Sequence, residues 1–218
     1  MSKIAVLGTG NVGDTIGSKL IEVGHTVMMG SRTTDNEKAK AFVAKHNGIA
    51  SAGTFADAAA FGEIVFNCTA GVGSLEALKL AGEKNINGKI IVDIANPLDF
   101  SKGMPPSLTI CNINSLGEEI QKAFPQTKVV KTLNTMWCGL MVNPMMIKGG
   151  DHNVFVSGND ADAKEKVKEI LKTFGWKEKN ILDLGDLTTA RGTEMYLPLW
   201  LRIYGATNNG AFNIKIVS

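Results

Sequence analysis

A short apolar run, Ile4-Ala5-Val6-Leu7, leads without a break into Gly8-Thr9-Gly10-Asn11-Val12-Gly13, and Ile16, Leu20 and Ile21 then recur at helical spacing. Three glycines in that pattern are a weak signal alone, because glycine is common in turns. Between an apolar strand and an amphipathic helix they constrain the fold strongly. Gly8 permits a tight turn, Gly10 lets the backbone approach a pyrophosphate, and Gly13 lets the helix pack closely on the strand. The helix N-terminus then meets its ligand with free N–H groups and the positive end of its dipole. The unit predicts a dinucleotide site at the carboxyl ends of the strands of a parallel sheet.

The alternation continues along the chain. Strands are expected at residues 3–7, 25–29, 63–67, 89–94, 128–132 and 153–156, with helices at about 11–23 and 36–46. Short β-branched runs alternating with helical stretches mark βαβ units. After Gly149-Gly150 come a helix at about 161–174, a short strand near 181–184 and a last helix from about Leu187. The expected architecture is α/β, a Rossmann-type doubly wound, mainly parallel sheet with a small α/β C-terminal extension. Residues 1–150 would form the dinucleotide-binding unit, and residues 151–218 a small subdomain completing the substrate cleft. Met104-Pro105-Pro106-Ser107 reads as the clearest loop.

Composition narrows the function classes. Hydrophobic residues are 44% and charged residues 20% of the 218, ordinary globular usage that argues against disorder. The net charge of +2 comes from Lys and Arg interleaved with Asp and Glu, so no nucleic-acid partner is expected. No apolar run reaches the roughly 20 residues of a membrane span. Met1-Ser2-Lys3 passes straight into the first strand, which leaves no room for a signal sequence, and a cytoplasmic location is expected. Cys68, Cys111 and Cys138 lack any CxxC pairing, and His25, His46 and His152 lack paired metal spacing, so neither a disulfide framework nor a metal site is expected.

The second strand identifies the dinucleotide. In NAD-specific sites an acid about 20 residues beyond the glycines binds the adenosine ribose. Here the strand ends Met28-Met29-Gly30-Ser31-Arg32-Thr33-Thr34, with a cation and hydroxyls in place of the acid. A carboxylate would repel a 2′-phosphate, whereas the Arg32 guanidinium can bind it through charge-assisted hydrogen bonds and stack on adenine. Ser31 and Thr33 can donate further bonds, and Lys38 adds charge. NADP(H) is therefore favoured over NAD(H). Ligands of open parallel sheets lie across the carboxyl ends of the strands. That brings in Thr69 and Ala70 of Asn67-Cys68-Thr69-Ala70-Gly71-Val72-Gly73, and Asn96 of Ala95-Asn96-Pro97. Asn134 and Thr135, in Thr132-Leu133-Asn134-Thr135-Met136-Trp137, would bring small polar groups beside the nicotinamide.

With these segments in view, the chain resembles the NADP oxidoreductases dependent on the deazaflavin coenzyme F420, a fold that also serves as the cytosolic domain of the STEAP metalloreductases. The resemblance rests on GTGNVG, GSRTT, VDIANPL, KTLNTM and the segment 185–199 with its ARGTEMYLPL helix, which together span nearly the whole chain. It implies a dinucleotide-binding sheet with a small C-terminal subdomain, hydride exchange between NADP(H) and a flavin-like partner stacked on the nicotinamide, and often a homodimer. By that resemblance Thr9, Asn11, Val12, Ser31, Arg32, Thr69 and Ala70 contact NADP, and Asn134 and Thr135 border the nicotinamide.

Hydride transfer from nicotinamide to a flavin or deazaflavin needs two aligned rings and exclusion of water more than an acid or base. The empty list of catalytic side chains is thus compatible with an enzyme whose partner is a small-molecule electron acceptor. Two other readings stand beside it. One is a carbonyl or imine reductase, although too little chain follows Gly150 for the large all-helical domain such enzymes usually add. The other is a non-catalytic NADP(H)-sensing or interaction module, since a nucleotide fold does not establish turnover. The segment 194–201, rich in aromatic and apolar residues, suits either a substrate wall or a protein interface.

Overall fold

The computed structural model describes residues 1–217. Its first half runs β1 (Lys3–Leu7), α1 (Asn11–Glu22), β2 (Thr26–Ser31), α2 (Glu37–Lys45), β3 (Ala50–Thr54), α3 (Phe55–Phe61), β4 (Ile64–Asn67), α4 (Ser74–Ala81), α5 (Glu83–Ile86) and β5 (Ile90–Asp93). The second half adds β6 (Leu98–Asp99), β7 (Ser107–Leu108), α6 (Leu116–Ala123), β8 (Lys128–Thr132), α7 (Cys138–Val142), β9 (Val154–Gly158), α8 (Ala161–Thr173), β10 (Ile181–Gly185), α9 (Ala190–Met195) and α10 (Leu197–Thr207).

Eight strands form one sheet in the order β10-β9-β8-β5-β4-β1-β2-β3, and β6 and β7 make a separate small ladder. The sheet winds outward from β1 in both directions, and a crevice opens where the winding reverses, between β1 and β4. Alternate residues of β1 show why both faces must be covered. Ile4 and Val6 pack in one core with Ile16, Leu20 and Phe42, while Ala5 and Leu7 pack in another with Ala58, Leu78 and Ile120. Strands buried on both faces are near-continuous apolar runs, as Ile4-Ala5-Val6-Leu7 is.

The Rossmann-type reading is correct, and most expected elements lie where the sequence places them. One step of the sheet breaks the parallel rule, since β9 runs antiparallel to β8. Val154–Gly158 and Ile181–Gly185 extend the main sheet beyond β8. The expected last helix is a short 3-10 turn from Leu187 followed by α9 and α10, with Pro198 near the start of α10. Proline is tolerated there because first-turn N–H groups have no helical partner. The elements absent from the sequence reading include the small β6–β7 ladder and, in the main sheet's first half, β3 and α3. Ala50-Ser51-Ala52-Gly53-Thr54 carries almost no β-branched or aromatic signal, yet it pairs in register with β2. Thr54 then caps α3 in a reciprocal box with Asp57. No helix of the described residues is long and apolar enough to cross a membrane.

Candidate active site

The glycine loop is shaped by two close approaches. Gly8 has φ +116, and a Cβ there would come within 2.6 Å of the Cys68 carbonyl oxygen. A Cβ on Gly13 would lie 2.0 Å from the Gly8 carbonyl oxygen, so only glycine lets α1 sit this close to β1. No side chain caps α1 at Gly10. Its first-turn N–H groups and the positive end of its dipole are therefore free for an anion.

Around that loop lies a hollow of about 470 Å³ lined by Gly8, Thr9, Gly10, Ser31, Arg32 and Thr33, with Asn36, Phe55, Cys68, Thr69 and Ala70. The Ser31 hydroxyl donates to the Thr33 carbonyl at 2.6 Å, which curls the loop after β2. Arg32 is exposed at this rim. It also borders a narrower groove with Phe55, Val72, Gly73 and Leu80. Glu76 lines the same groove, so it is the guanidinium of Arg32 together with the ring of Phe55 that suits an adenine carrying a 2′-phosphate.

A second hollow of about 380 Å³ continues from the first through Cys68, Thr69 and Ala70, which line both. Asn11, Asn96 and Asn134 supply its polar side chains, and Val12, Ala95, Met136, Trp137, Met141, Leu197 and Trp200 its apolar lining. Leu133 takes φ +62 as the chain leaves β8, a costly turn for a leucine that delivers Asn134 to the cleft. Asn96 and Asn134 then clasp each other. Asn96 Nδ2 donates to the Asn134 carbonyl at 2.9 Å, and Asn134 Nδ2 donates to Asn96 Oδ1 at 3.0 Å. Trp200 stacks between Tyr204 and Phe212, with ring centroids 5.5 and 5.2 Å away. The C-terminal tail that supplies Phe212 is tied back by Asn213 Nδ2, which donates to the Asn153 carbonyl at 2.9 Å and lies 2.7 Å from His152 Nδ1.

Beneath the cleft runs a buried ionic chain that the sequence did not announce. Lys131 Nζ lies 2.8 Å from both Asp93 Oδ2 and Glu194 Oε1, with all three side chains removed from water. Burial disfavours the ammonium, but the two carboxylates outweigh it and hold Lys131 above its ordinary range. Glu194 also accepts from the backbone N–H groups of Leu116 at 2.8 Å and Gly117 at 3.1 Å, at the start of α6. Nearby, the Arg191 guanidinium donates to both carboxylate oxygens of Glu118, from Nε at 2.8 Å and from Nη2 at 2.5 Å. Burial pushes the Cys68 thiol up, far from thiolate chemistry.

The structure brings Gly8, Thr9, Gly10, Asn11, Val12, Ser31, Arg32, Thr33, Thr69, Ala70, Asn96 and Asn134 to one continuous cleft. Gly13 is buried beneath it and acts through packing. Thr135 is buried and does not line the cleft, and Lys38 is exposed on α2 away from the lining. Asn36, two residues before Lys38, lines the cleft instead and caps α2 by accepting from Ala39 N at 3.0 Å. Phe55 and Trp137 were missed as lining residues, whereas Leu197 and Trp200 come from the aromatic and apolar segment 194–201 that suited a substrate wall.

Comparison with known proteins bears on this cleft. Residues 3–97 match the family model described as NADP oxidoreductase, coenzyme F420-dependent. A solved structure from Arthrobacter sp. FB24, provisionally described as an F420-dependent NADP-reductase, is 50% identical over 100% of both chains, with a TM-score of 0.94. Metalloreductase STEAP3 of Rattus norvegicus is 27% identical over 204 residues, 91% of this chain but 38% of that protein, so the chain spans well under half of that relative. An imine reductase from Bacillus cereus is similar in fold alone, at 16% identity and a TM-score of 0.66 over 95% of this chain and 62% of that one.

Proposed function

Because the chain belongs to the family of coenzyme F420-dependent NADP oxidoreductases, and is an NADP(H)-binding oxidoreductase on that ground, we propose that it passes hydride between the nicotinamide and a flavin-like acceptor, either a flavin or the deazaflavin itself. The observation that carries this reading is the continuity of the cleft. One end is polar and cationic, while the other is a slot between amide groups and flat apolar walls. That is the lining expected for two rings laid face to face.

The donor set fits the dinucleotide. The open first turn of α1 suits the pyrophosphate, and the loop after β2 offers Arg32 to a 2′-phosphate; among the described residues Arg32 makes no ion pair of its own. Bound NADPH supplies the hydride. The protein's part is to fix where the rings meet and to keep water away. The Asn96–Asn134 clasp holds the ends of β5 and β8 at one separation and gives the floor of the slot a fixed shape. Met136, Trp137, Leu197 and Trp200 supply the apolar lining that keeps water from the rings. The partner is a small planar molecule held by stacking and apolar contact.

The test is anaerobic NADPH oxidation by the purified protein against free flavins, the deazaflavin coenzyme, ferric chelates, quinones and small carbonyl compounds, with NADH in parallel. Rapid turnover confined to flavin or deazaflavin, and to NADPH, is the expected result. Tight NADPH binding with no turnover of either ring system would overturn the proposal, as would turnover confined to carbonyl compounds.

A further inference from the structure

Where the two halves of the cleft meet, Thr69 belongs to a closed ring of hydrogen bonds whose direction can be assigned. Asn67 Nδ2 lies 2.8 Å from Asp93 Oδ1 and 3.1 Å from Ser74 Oγ. Thr69 Oγ1 lies 2.7 Å from Asn67 Oδ1 and 2.8 Å from Ser74 Oγ. The Asp93 carboxylate, bound to Lys131 through its other oxygen, can only accept, so the amide nitrogen of Asn67 must face it. Every other direction follows. The second amide hydrogen goes to Ser74, the Ser74 hydroxyl donates to Thr69, and the Thr69 hydroxyl donates to Asn67 Oδ1.

Thr69 thus has its only proton committed inward and one lone pair of Oγ1 occupied by Ser74. What remains for the cleft is a single lone pair. We propose that Thr69 is a fixed hydrogen-bond acceptor that recognises a donor group of the dinucleotide, a ribose hydroxyl or the carboxamide N–H of the nicotinamide. It is not a phosphate ligand, because a lone pair repels phosphate oxygens. Asn67 and Asp93 act through it as positioning residues, and Lys131 and Glu194 hold Asp93 in turn. This inference rests on the NADP(H) reading of the cleft.

The experiment measures dissociation constants of the full chain for NADP+, for the 3-acetylpyridine analogue of NADP+ (a methyl group in place of the carboxamide N–H2) and for 2′,5′-ADP. Thr69→Val should weaken NADP+ about tenfold, the usual size for one lost hydrogen bond, while Thr69→Ser, which keeps the hydroxyl, should stay within about twofold of wild type. A loss that vanishes with the acetylpyridine analogue assigns the donor to the carboxamide. A loss that persists there but is absent with 2′,5′-ADP assigns it to the nicotinamide ribose, and a loss with all three assigns it to the adenosine ribose. Asp93→Asn frees the Asn67 amide to turn over, so it should weaken NADP+ by itself and leave Thr69→Val with no further effect in the double variant. The Thr69 variants decide the matter alone where Asp93→Asn does not fold. The proposal is overturned if Thr69→Val binds all three ligands as wild type does, if Thr69→Ser loses as much as Thr69→Val, or if the double variant shows fully additive losses. Wild-type protein that binds no NADP+ would instead remove the reading of the cleft itself.

Discussion

At its phosphate end the cleft takes most of its lining from two short stretches, Gly8, Thr9 and Gly10 in one and Ser31, Arg32 and Thr33 in the other, each at the carboxyl end of a strand of the first βαβ unit. At its ring end the lining comes from Asn96, Asn134, Trp137, Leu197 and Trp200, drawn from the ends of β5 and β8 and from a broken helix near the C-terminus. The first end works through backbone N–H groups and one exposed guanidinium. The second works through side-chain shape, and its parts are fastened by ionic contacts far apart in the chain. Local geometry can make a phosphate site, whereas a stacking slot needs the tertiary structure to be right first.

If that contrast is sound, the largest effect should come from the fastening and not from the lining. Lys131→Met leaves the buried carboxylates of Asp93 and Glu194 without their shared cation, and removing one partner of a buried ion pair typically costs about 3–5 kcal/mol. Urea unfolding should register that loss. A cost below about 1 kcal/mol would mean that the chain is ornamental to stability.

At the phosphate end the effect should be smaller and confined to binding. Arg32→Ala should weaken NADPH by about 1.5–3 kcal/mol, the range for hydrogen bonds to charged groups, and scarcely alter NADH or the unfolding midpoint. Titration of both dinucleotides checks this, and equal losses for the two would remove Arg32 from the 2′-phosphate.

How much of each end was legible follows the same division. Gly8, Gly10 and Gly13 could be read because each answers a local demand of a strand–turn–helix unit, and Arg32 because the strand before it fixes its place. Lys131 could not be read. In Lys128-Val129-Val130-Lys131-Thr132 it looks like the solvent-facing lysine of an edge strand, and its partner Asp93 is 38 residues away. Thr135 and Lys38 were placed in the site by proximity in sequence, but the αL turn at Leu133 aims Asn134 at the cleft and leaves Thr135 behind it, while α2 turns Lys38 outward. β3 was hidden because small residues carry little strand preference, and its pairing with β2 is decided by tertiary contact.

The ring end can be tested without touching NADPH. Trp200 stacks on Phe212 and Tyr204 and lines the slot, so Trp200→Ala should raise KM for the acceptor about tenfold while the NADPH dissociation constant stays near wild type. Equal weakening of both ligands would mean that the two ends are not separable.

The smallest effect should belong to the outer clamp between α9 and α6. Hydrogen bonds from Arg191 hold the Glu118 carboxyl below its ordinary range, helped by Ser115 and opposed by partial burial. A carboxyl depressed in the folded state stabilises the fold above the unfolded pKa of about 4.3, and that contribution is lost as pH falls through the folded value. Arg191→Ala should therefore melt slightly below wild type at neutral pH, and the gap should close as pH drops below about 4. Melting curves of both proteins across that range would check it. A gap that stays constant into acid would mean that Arg191 supports α9 by packing its stem on α6, and that Glu194 alone carries the charge link between the acceptor wall and the sheet.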